Sequence, residues 1–161
     1  MNYMKLLKLL YLTERKSLIE ATKSISGDRL IAMKNGPLLS ETYDLIKDSA
    51  AGRADGYWCE RISTNGYDVK IKEGVIIDDE DLSEADELRL NQIYDQFGAM
   101  DEFELVDWTH KNLPEWSDPK GTSRAIPTRD IFYGAGLSEA IVTKKERDLY
   151  ELSQFERLLS L

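Results

Sequence analysis

Cysteine and histidine are almost absent from this sequence, which has 161 residues and one of each, Cys59 and His110. A disulfide within the chain needs two cysteines, so none can form and the chain does not depend on an oxidising compartment. A structural zinc site takes about four ligands, and one cysteine with one histidine cannot supply the usual set. We therefore expect no disulfide and no metal, and a cytoplasmic location as the default.

Long apolar runs and phosphate-binding glycine patterns are missing as well. The leucine-rich start, residues 1–12, contains Lys5 and Lys8, is too short to span a bilayer and is followed by no small-residue cleavage site. Residues 35–37 (Asn-Gly-Pro) lack the glycine spacing and the lysine that would cradle a nucleotide. We expect a core helix at the start, no membrane partner and no cofactor.

The sequence has fewer basic than acidic residues, 21 against 30, and its formal net charge is -9. Such a surface repels phosphate backbones, and no helix-turn-helix pair is evident, so nucleic acid is not expected as the main partner. Acidity attracts basic protein surfaces, although net charge also serves solubility alone.

Apolar residues recur at helical spacing in the first segment. They predict a long amphipathic helix that ends before Gly27, with charged residues such as Lys8 and Glu14 on its other turns. The apolar positions of this helix are Leu6, Leu7, Leu10, Leu18 and Ile25.

Further helices are predicted in the second half. The acidic stretch 78–87 contains a capping-box pattern at 83–86, which favours a helix start over a metal site, and 101–104 repeats that pattern. A short helix is predicted from Thr128 to Gly134, and Ser138 begins a long last helix. Its apolar stripe consists of Leu149, Leu152, Phe155, Leu158 and Leu159.

A short strand is predicted within residues 28–34, where an apolar run is stopped by a tight turn at 35–37. Ser40 is a good N-cap for a helix that continues to about Ala51, where Gly52 can take a left-handed closing conformation. The Gly-Pro pair is thus expected to shape the turn before that helix.

The clearest β signal is a hairpin. Residues 57–63 and 67–72 alternate apolar and polar side chains, and residues 64–66 (Thr-Asn-Gly) between them suit a tight turn. Three of the four prolines lie in 111–129, which we interpret as a surface loop containing Trp116. The predicted fold class is mainly α (α+β): one multi-helix domain over 1–161 with a small antiparallel β-hairpin or three-stranded sheet.

Catalysis by a nucleophile would depend on Cys59 and His110. A nucleophile needs an oriented base beside it, and spacing alone leaves this pair open as a hydrolytic dyad. A single cysteine is more often a small buried group, and a single histidine more often a structural hydrogen-bonding residue. Hydrolysis therefore stays an alternative, and the preferred expectation is a protein that is not an enzyme.

Aromatic side chains favour a binding protein, because tryptophan and tyrosine most often anchor protein interfaces. The alternative is that these rings pack in the core, which we prefer for Trp108 and leave open for Trp116. The aromatic residues in or beside predicted loops and element ends are Tyr57, Trp58, Trp108, Trp116 and Tyr133.

Several phrases along the chain carry a family resemblance through their order and spacing. They are Lys5-Leu6-Leu7-Lys8-Leu9-Leu10-Tyr11-Leu12, Gly27-Asp28-Arg29, Ala32-Met33-Lys34-Asn35-Gly36-Pro37 followed by Tyr43-Asp44-Leu45-Ile46, and Leu105-Val106-Asp107-Trp108-Thr109-His110 with Glu115-Trp116. In this order they resemble the Panacea family of SocA-type antitoxins over nearly the whole chain. Relatives usually carry another helix before the first phrase, so an upstream N-terminal helix could be missing here.

The resemblance implies an antitoxin that neutralises a toxin encoded beside it by direct contact, in a toxin–antitoxin system that is often prophage-associated. It also implies an alternative, a proteolytic adaptor that delivers the toxin to an ATP-dependent protease. The expected partners are thus a cognate protein toxin and, in the alternative, that protease, while a homo-oligomer stays open.

The same resemblance singles out Tyr11, Gly36, Pro37, Thr109 and His110. As a folding device, Gly36 and Pro37 would shape a turn that Thr109 and His110 hydrogen-bond, or else these two would bond a neighbouring backbone. As a binding site, these residues would surround a groove. Its rim, which would touch the toxin, would consist of Trp116 and the 57–72 hairpin with Tyr57 and Trp58.

Overall fold

The computed structural model describes residues 1–53, 56–76 and 81–159, and this part of the chain is mainly helical with two small antiparallel sheets. The predicted fold class is therefore confirmed. The helices are α1 Tyr3–Ala21, α2 Ser40–Ala50, α3 Gly56–Arg61, α4 Glu84–Phe97, α5 Glu102–Asn112, α6 Thr128–Gly134 and α7 Glu139–Leu159. The strands are β1 Leu30–Met33, β2 Gly36–Leu39, β3 Ile62–Asn65, β4 Asp68–Ile71 and β5 Arg124–Ala125.

Helix α1 is the centre of the fold and touches α2, α4, α5, α6 and β2. One side of it packs into the main core through residues such as Leu12 and Leu18, and another side packs through Leu7 into a second, smaller cluster. The β1–β2 hairpin also faces both clusters, because Leu30 belongs to the main core and Leu38 to the second cluster. A seam between the two clusters therefore runs along α1.

The prediction that α1 extends almost to Gly27 is wrong. The helix closes at Thr22, which takes a left-handed conformation with φ of 55° and donates its amide to Leu18. Beyond it, the carboxylate of Glu14 accepts the amide protons of Ile25 and Ser26 and holds that segment in a bend. Glu14 is consequently buried, and not on the solvent side as predicted.

The predicted strand in 28–34 is confirmed as β1, but the turn after it is displaced. Lys34 and Asn35 form the turn, while Gly36 and Pro37 already belong to β2 and pair with Met33 and Ala32. The proline is tolerated because β2 is an edge strand of the sheet, whose order is β2-β1-β5. Strand β5 lies inside the segment predicted as a loop.

Ser40 is the first residue of α2 and not its N-cap, so this detail of the prediction is wrong. The helix is capped from a distance instead, because the Asp28 carboxylate accepts the amide protons of Glu41 and Thr42 at 2.8 Å each. Helix α2 ends as predicted, and Gly52 has a φ of 69°.

The second hairpin exists, but its first strand is shorter than predicted. Residues 57–61 form the helical turn α3, in which Arg61 lies over the ring of Tyr57 at 3.7 Å, a pairing that helical spacing of four allows. Gly66, with φ of 60°, and Tyr67 make the turn between β3 and β4. The first residues of the chain pair with the free edge of β4.

The later helices follow the predictions closely at their starts. Ser83 and Asp101 cap α4 and α5, with a full capping box at Asp101, and α6 has the predicted limits. Residues 78–80 of the acidic stretch lie outside the described residues.

The predicted apolar stripe of α7 does not pack along its length. Leu149 packs against the main core, but Leu152, Phe155 and Leu158 are exposed, and the side chain of Leu159 lies outside the described residues. None of the described helices combines the length and the apolar composition that a bilayer span requires.

Candidate functional site

Lys8 lies on the seam of α1 between the two clusters and is only 1% exposed. Its Nζ donates a hydrogen bond to the carbonyl oxygen of Pro37 at 2.7 Å. Burial lowers the pKa of Lys8 from 10.5 to about 7, because a charged ammonium loses its hydration there. The sequence placed this lysine on a polar turn, and that interpretation is wrong.

Gly36 is a point of close approach between α1, β2 and α5. Its φ of 95° favours glycine, and a Cβ atom there would lie 2.8 Å from Oγ1 of Thr109 and 3.1 Å from Cε of Lys8. Thr109 is fully buried, and its hydroxyl donates to the carbonyl of Val106 at 2.9 Å. Thr109 thus packs against Gly36 and hydrogen-bonds a neighbouring backbone carbonyl, which is the second of the two expected arrangements, and does not bond the turn.

His110 and Trp116 form a stacked pair with ring centroids 3.7 Å apart and an angle of 8° between the planes. The indole nitrogen of Trp116 donates to the carbonyl of Met33 at 3.0 Å, which ties the segment after α5 to the end of β1. Trp116 therefore helps to hold the motif residues in place. Its side chain also remains half-buried at the surface.

Charges of both signs lie near His110. Burial lowers the pKa of His110, and the charge of Lys8 lowers it further, against the opposing effects of Asp107, Asp118 and a backbone hydrogen bond with Lys34. Its Nε2 atom is buried and has no hydrogen-bond partner in the described part of the chain.

Tyr11 belongs to a second buried group, which we call the Glu115 cluster and which consists of Tyr11, Arg15 and Glu115. The Tyr11 hydroxyl donates to Oε1 of Glu115 at 3.1 Å, and Nε of Arg15 donates to the same oxygen at 2.6 Å. Burial and the Glu115 charge raise the pKa of Tyr11 well above its ordinary value of 10.0. Gly134 packs on this carboxylate, since a Cβ there would lie 2.7 Å from Oε2.

A cavity of about 140 Å³ opens beside Lys8, and we call it the Lys8 pocket. Lys34 and Asn35 of the β1–β2 turn form part of its wall, and Tyr3 and Tyr43 line it from α1 and α2. The remaining lining residues are Met4, Leu7, Met33, Gly36 and Leu38. No aspartate or glutamate is among the described residues that line it.

Aromatic rings surround the Lys8 pocket on the side of the second hairpin. Tyr67 stacks on Tyr3 with centroids 5.8 Å apart, and Nζ of Lys47 lies 5.3 Å from the Tyr3 ring and 5.8 Å from the Tyr43 ring. Tyr67 is 71% exposed. Trp58 packs into the second cluster together with Tyr3 and Tyr43.

The hairpin residues predicted for the rim take different positions. Tyr57 is 64% exposed, whereas Trp58 is half-buried and its indole nitrogen has no partner among the described residues. Both lie on α3 and line a groove of about 220 Å³ with Ile62 and Ile71. They therefore adjoin the site through the second cluster and are not in its centre.

Cys59 also lies on α3, where its carbonyl accepts a hydrogen bond from Lys72 at 2.6 Å. No hydrogen bond in the described part of the chain joins Cys59 to His110, whose ring stacks on Trp116 instead. The geometry therefore does not assemble the dyad that the hydrolytic alternative requires.

The residues Gly36, Pro37, Thr109, His110 and Trp116 thus come together around Lys8, while Tyr11 lies in the Glu115 cluster. Sequence reasoning missed Lys8, Arg15 and Glu115 as members of the site. A partial signal for Lys8 was present, because three of its four neighbours at helical spacing, Met4, Tyr11 and Leu12, are apolar or aromatic, and only Lys5 is charged.

Comparison with known proteins identifies one family. A model described as "Antitoxin SocA-like, Panacea domain" matches residues 6–117, which is more than half of the chain. The matched segment contains Lys8, the motif residues around it and the Glu115 cluster, and it ends before β5, α6 and α7. No curated protein and no solved structure matched the chain.

Proposed function

This chain belongs to the Panacea family of SocA-like antitoxins, and we propose from that membership that it neutralises a protein toxin by binding it directly. The observation that carries the proposal is the family match over residues 6–117. The expected partner is the product of an adjacent gene. The complex would be stoichiometric, because neutralisation by contact needs one antitoxin for each occupied toxin.

The binding surface that we propose is the aromatic face, defined as Tyr3 and Tyr43, which line the Lys8 pocket, and Tyr67, which stacks on Tyr3. Tyrosines supply large, rigid contact areas at a low entropic cost, and they are enriched among the residues that dominate protein interfaces. Tyr67 is exposed yet stacked on Tyr3, so its ring is already ordered in the free protein. The net charge of -9 would also speed the encounter with a basic toxin.

The support beneath this face is rigid. Gly36 lets α1, β2 and α5 meet, and Trp116 fastens the β1–β2 hairpin to the segment after α5. A surface held in this way loses little conformational entropy on binding. The motif residues would thus act as a support for the face, and few of them would touch the toxin.

The test is a pull-down and size-exclusion measurement with the product of the adjacent gene, combined with a toxicity-rescue assay. We expect a stoichiometric complex. Tyr67→Ala should weaken it about tenfold or more, because truncation of a central interface aromatic costs at least about 1–2 kcal/mol. Tyr150→Ala, at a tyrosine of α7 that is 65% exposed and outside the matched segment, serves as the matched control and should leave binding unchanged.

Two results would contradict the proposal in different ways. If the protein protects cells but binds no adjacent gene product, direct neutralisation is wrong and delivery to an ATP-dependent protease replaces it. If a complex forms and Tyr150→Ala weakens it while Tyr67→Ala does not, direct binding stands and the aromatic face is wrong.

A further inference from the structure

The Lys8 ammonium has fewer partners than a buried charge requires. An ammonium has three donors, and the hydrogen bond to Pro37 uses one of them. No aspartate or glutamate lies within salt-bridge distance of Lys8 in the part of the chain that the structure describes. A buried charge is ordinarily paired, so the charged form of Lys8 is incomplete without an anion.

Among the described residues, the groups that face Lys8 do not supply that anion. The turn contributes Lys34, helix α5 contributes His110, and helix α2 brings Lys47 over the rings of Tyr3 and Tyr43. Two acidic residues, Asp107 and Asp118, act on His110. Lys34 and Lys47 therefore bring positive charge to this part of a chain whose formal charge is -9.

The size of the pocket limits what can enter. Its volume of about 140 Å³ is below the lower end, about 300 Å³, of the pockets that bind drug-sized ligands or cofactors. The apolar side chains of Leu7, Met33 and Leu38 line it, and these suit the methylene groups of an inserted side chain. A single short side chain that ends in an anionic group fits this combination.

We propose that the Lys8 pocket receives the carboxylate of an aspartate or glutamate side chain from the bound partner polypeptide. This inference rests on the proposed function and specifies one contact of the complex: the partner inserts one acidic residue into the pocket beside the aromatic face. The carboxylate accepts hydrogen bonds from the Lys8 ammonium and from the side chains of the β1–β2 turn. Such a pair, formed away from water, is stronger than an exposed ion pair.

The proposal predicts that the protonation of Lys8 changes when the pocket is occupied. In the free protein burial lowers the pKa of Lys8 to about 7, so near neutral pH much of the amine is uncharged. A carboxylate beside it favours the charged form and raises that pKa again. Occupation of the pocket is therefore coupled to proton uptake by Lys8.

The experiment uses the full chain with lysine side chains labelled at Cε and follows Lys8 by NMR. The probe is N-acetyl-glutamate N-methylamide, and the neutral control is the corresponding glutamine derivative. We expect the glutamate probe to shift the Lys8 signal and raise its pKa, with an affinity at least about tenfold above that of the glutamine control, since a hydrogen bond between charged groups is stronger than one to a neutral amide. Lys8→Met should abolish the preference for glutamate, and Lys16→Met, on the same helix but paired with Glu20, should retain it.

Equal shifts from both probes, or a glutamate preference that survives in Lys8→Met, would overturn the inference. These outcomes are separate from failure of the proposed function. If the adjacent gene product binds but the probe does not, the antitoxin role is supported and the proposed carboxylate site is wrong. If the probe binds at Lys8 and no partner complex forms, the carboxylate site is supported and the assignment of the partner is wrong.

Discussion

The Glu115 cluster and the Lys8 pocket both bury a charged side chain against α1, but they treat it differently. The Glu115 carboxylate, in a residue that is 4% exposed, receives hydrogen bonds from Tyr11 and from Arg15. The Lys8 ammonium, 1% exposed, has one hydrogen bond to a carbonyl and no described carboxylate partner. The first charge is balanced inside the chain, and the second is not.

This difference separates a structural charge from one that is available for binding. A buried charge with its counter-ion and hydrogen bonds holds elements together, and here the Glu115 cluster joins α1 to the segment after α5. A buried charge without a counter-ion destabilises the fold, and a residue of that kind beside a cavity marks a candidate functional site. The comparison leads to predictions about stability that have opposite signs.

The largest expected effect is loss of stability in Glu115→Ala. This substitution leaves Arg15 and the buried Tyr11 hydroxyl without their acceptor, so we expect the free energy of unfolding to fall by about 3–5 kcal/mol. Urea denaturation followed by circular dichroism measures it. Glu151→Ala, which removes the exposed partner of Arg147, is the control and should cost less than about 1 kcal/mol. Equal effects of the two substitutions would remove the distinction between the clusters.

Gly36→Ala should destabilise the protein by about 3 kcal/mol. The added methyl group would meet Thr109 and Lys8 within 2.8 to 3.1 Å, at a φ that side chains rarely adopt. Gly66→Ala, with a similar positive φ but nothing within 4 Å, should cost only about 1 kcal/mol. In a Thr109→Ala background the cost of Gly36→Ala should shrink, and a strictly additive double-mutant cycle would contradict the contact.

Lys8→Met should instead raise the free energy of unfolding, by about 2 kcal/mol at pH 6. A pKa lowered from 10.5 to about 7 corresponds to a penalty of about 5 kcal/mol, at about 1.4 kcal/mol per pH unit. Part of the gain is lost because the Pro37 carbonyl then lacks its donor, which costs about 1–3 kcal/mol. Thermal and urea unfolding of the two proteins check this, and a destabilised variant would contradict the account.

The destabilisation that Lys8 causes should also depend on pH. The folded-state pKa of Lys8 is below the unfolded-state value, so between about pH 7 and 10.5 the unfolded chain binds a proton that the folded chain does not. The Lys8 penalty is therefore fully present below pH 7 and disappears as the pH rises towards 10.5. Lys8→Met should lack this rise in stability relative to the parent protein, and parallel pH profiles would count against a buried, neutral lysine.

The smallest expected effect concerns Trp116→Phe. The substitution keeps a ring against His110 but removes the hydrogen bond to Met33, so it should cost about 1 kcal/mol beyond the loss of ring volume. Trp108→Phe, at a half-buried tryptophan for which the described contacts include no indole hydrogen bond, is the volume control. If both substitutions cost the same, the bond to Met33 does not secure the hairpin.

Local signals predicted much of this fold. Capping patterns located the starts of α4 and α5, and the apolar run at 28–34 located β1, because these features depend on neighbouring residues alone. The end of α1 and the cap of α2 were missed for one reason. Glu14 and Asp28 stabilise segments that lie ten or more residues away along the chain, and such contacts leave no local pattern.

The candidate site was predicted only in part. The resemblance selected Gly36, Thr109 and His110, and these residues do meet around one point. It did not select Lys8, because a lysine within a helix is ordinarily assigned to the solvent side. Tyr57 and Trp58 were placed on a strand because the alternation of the 57–63 run has a period of two, while the Tyr57–Arg61 contact in α3 needs a period near four.

The central claim, that Lys8 awaits a carboxylate from the partner, is tested most directly by the protons exchanged when the partner binds. Calorimetry at pH 8 in buffers of different ionisation enthalpy measures that number. The account predicts uptake of close to about one proton by the parent protein and none by Lys8→Met, since a bound carboxylate restores the lysine charge. Binding of the adjacent gene product without proton uptake, or with the same uptake in Lys8→Met, would contradict it.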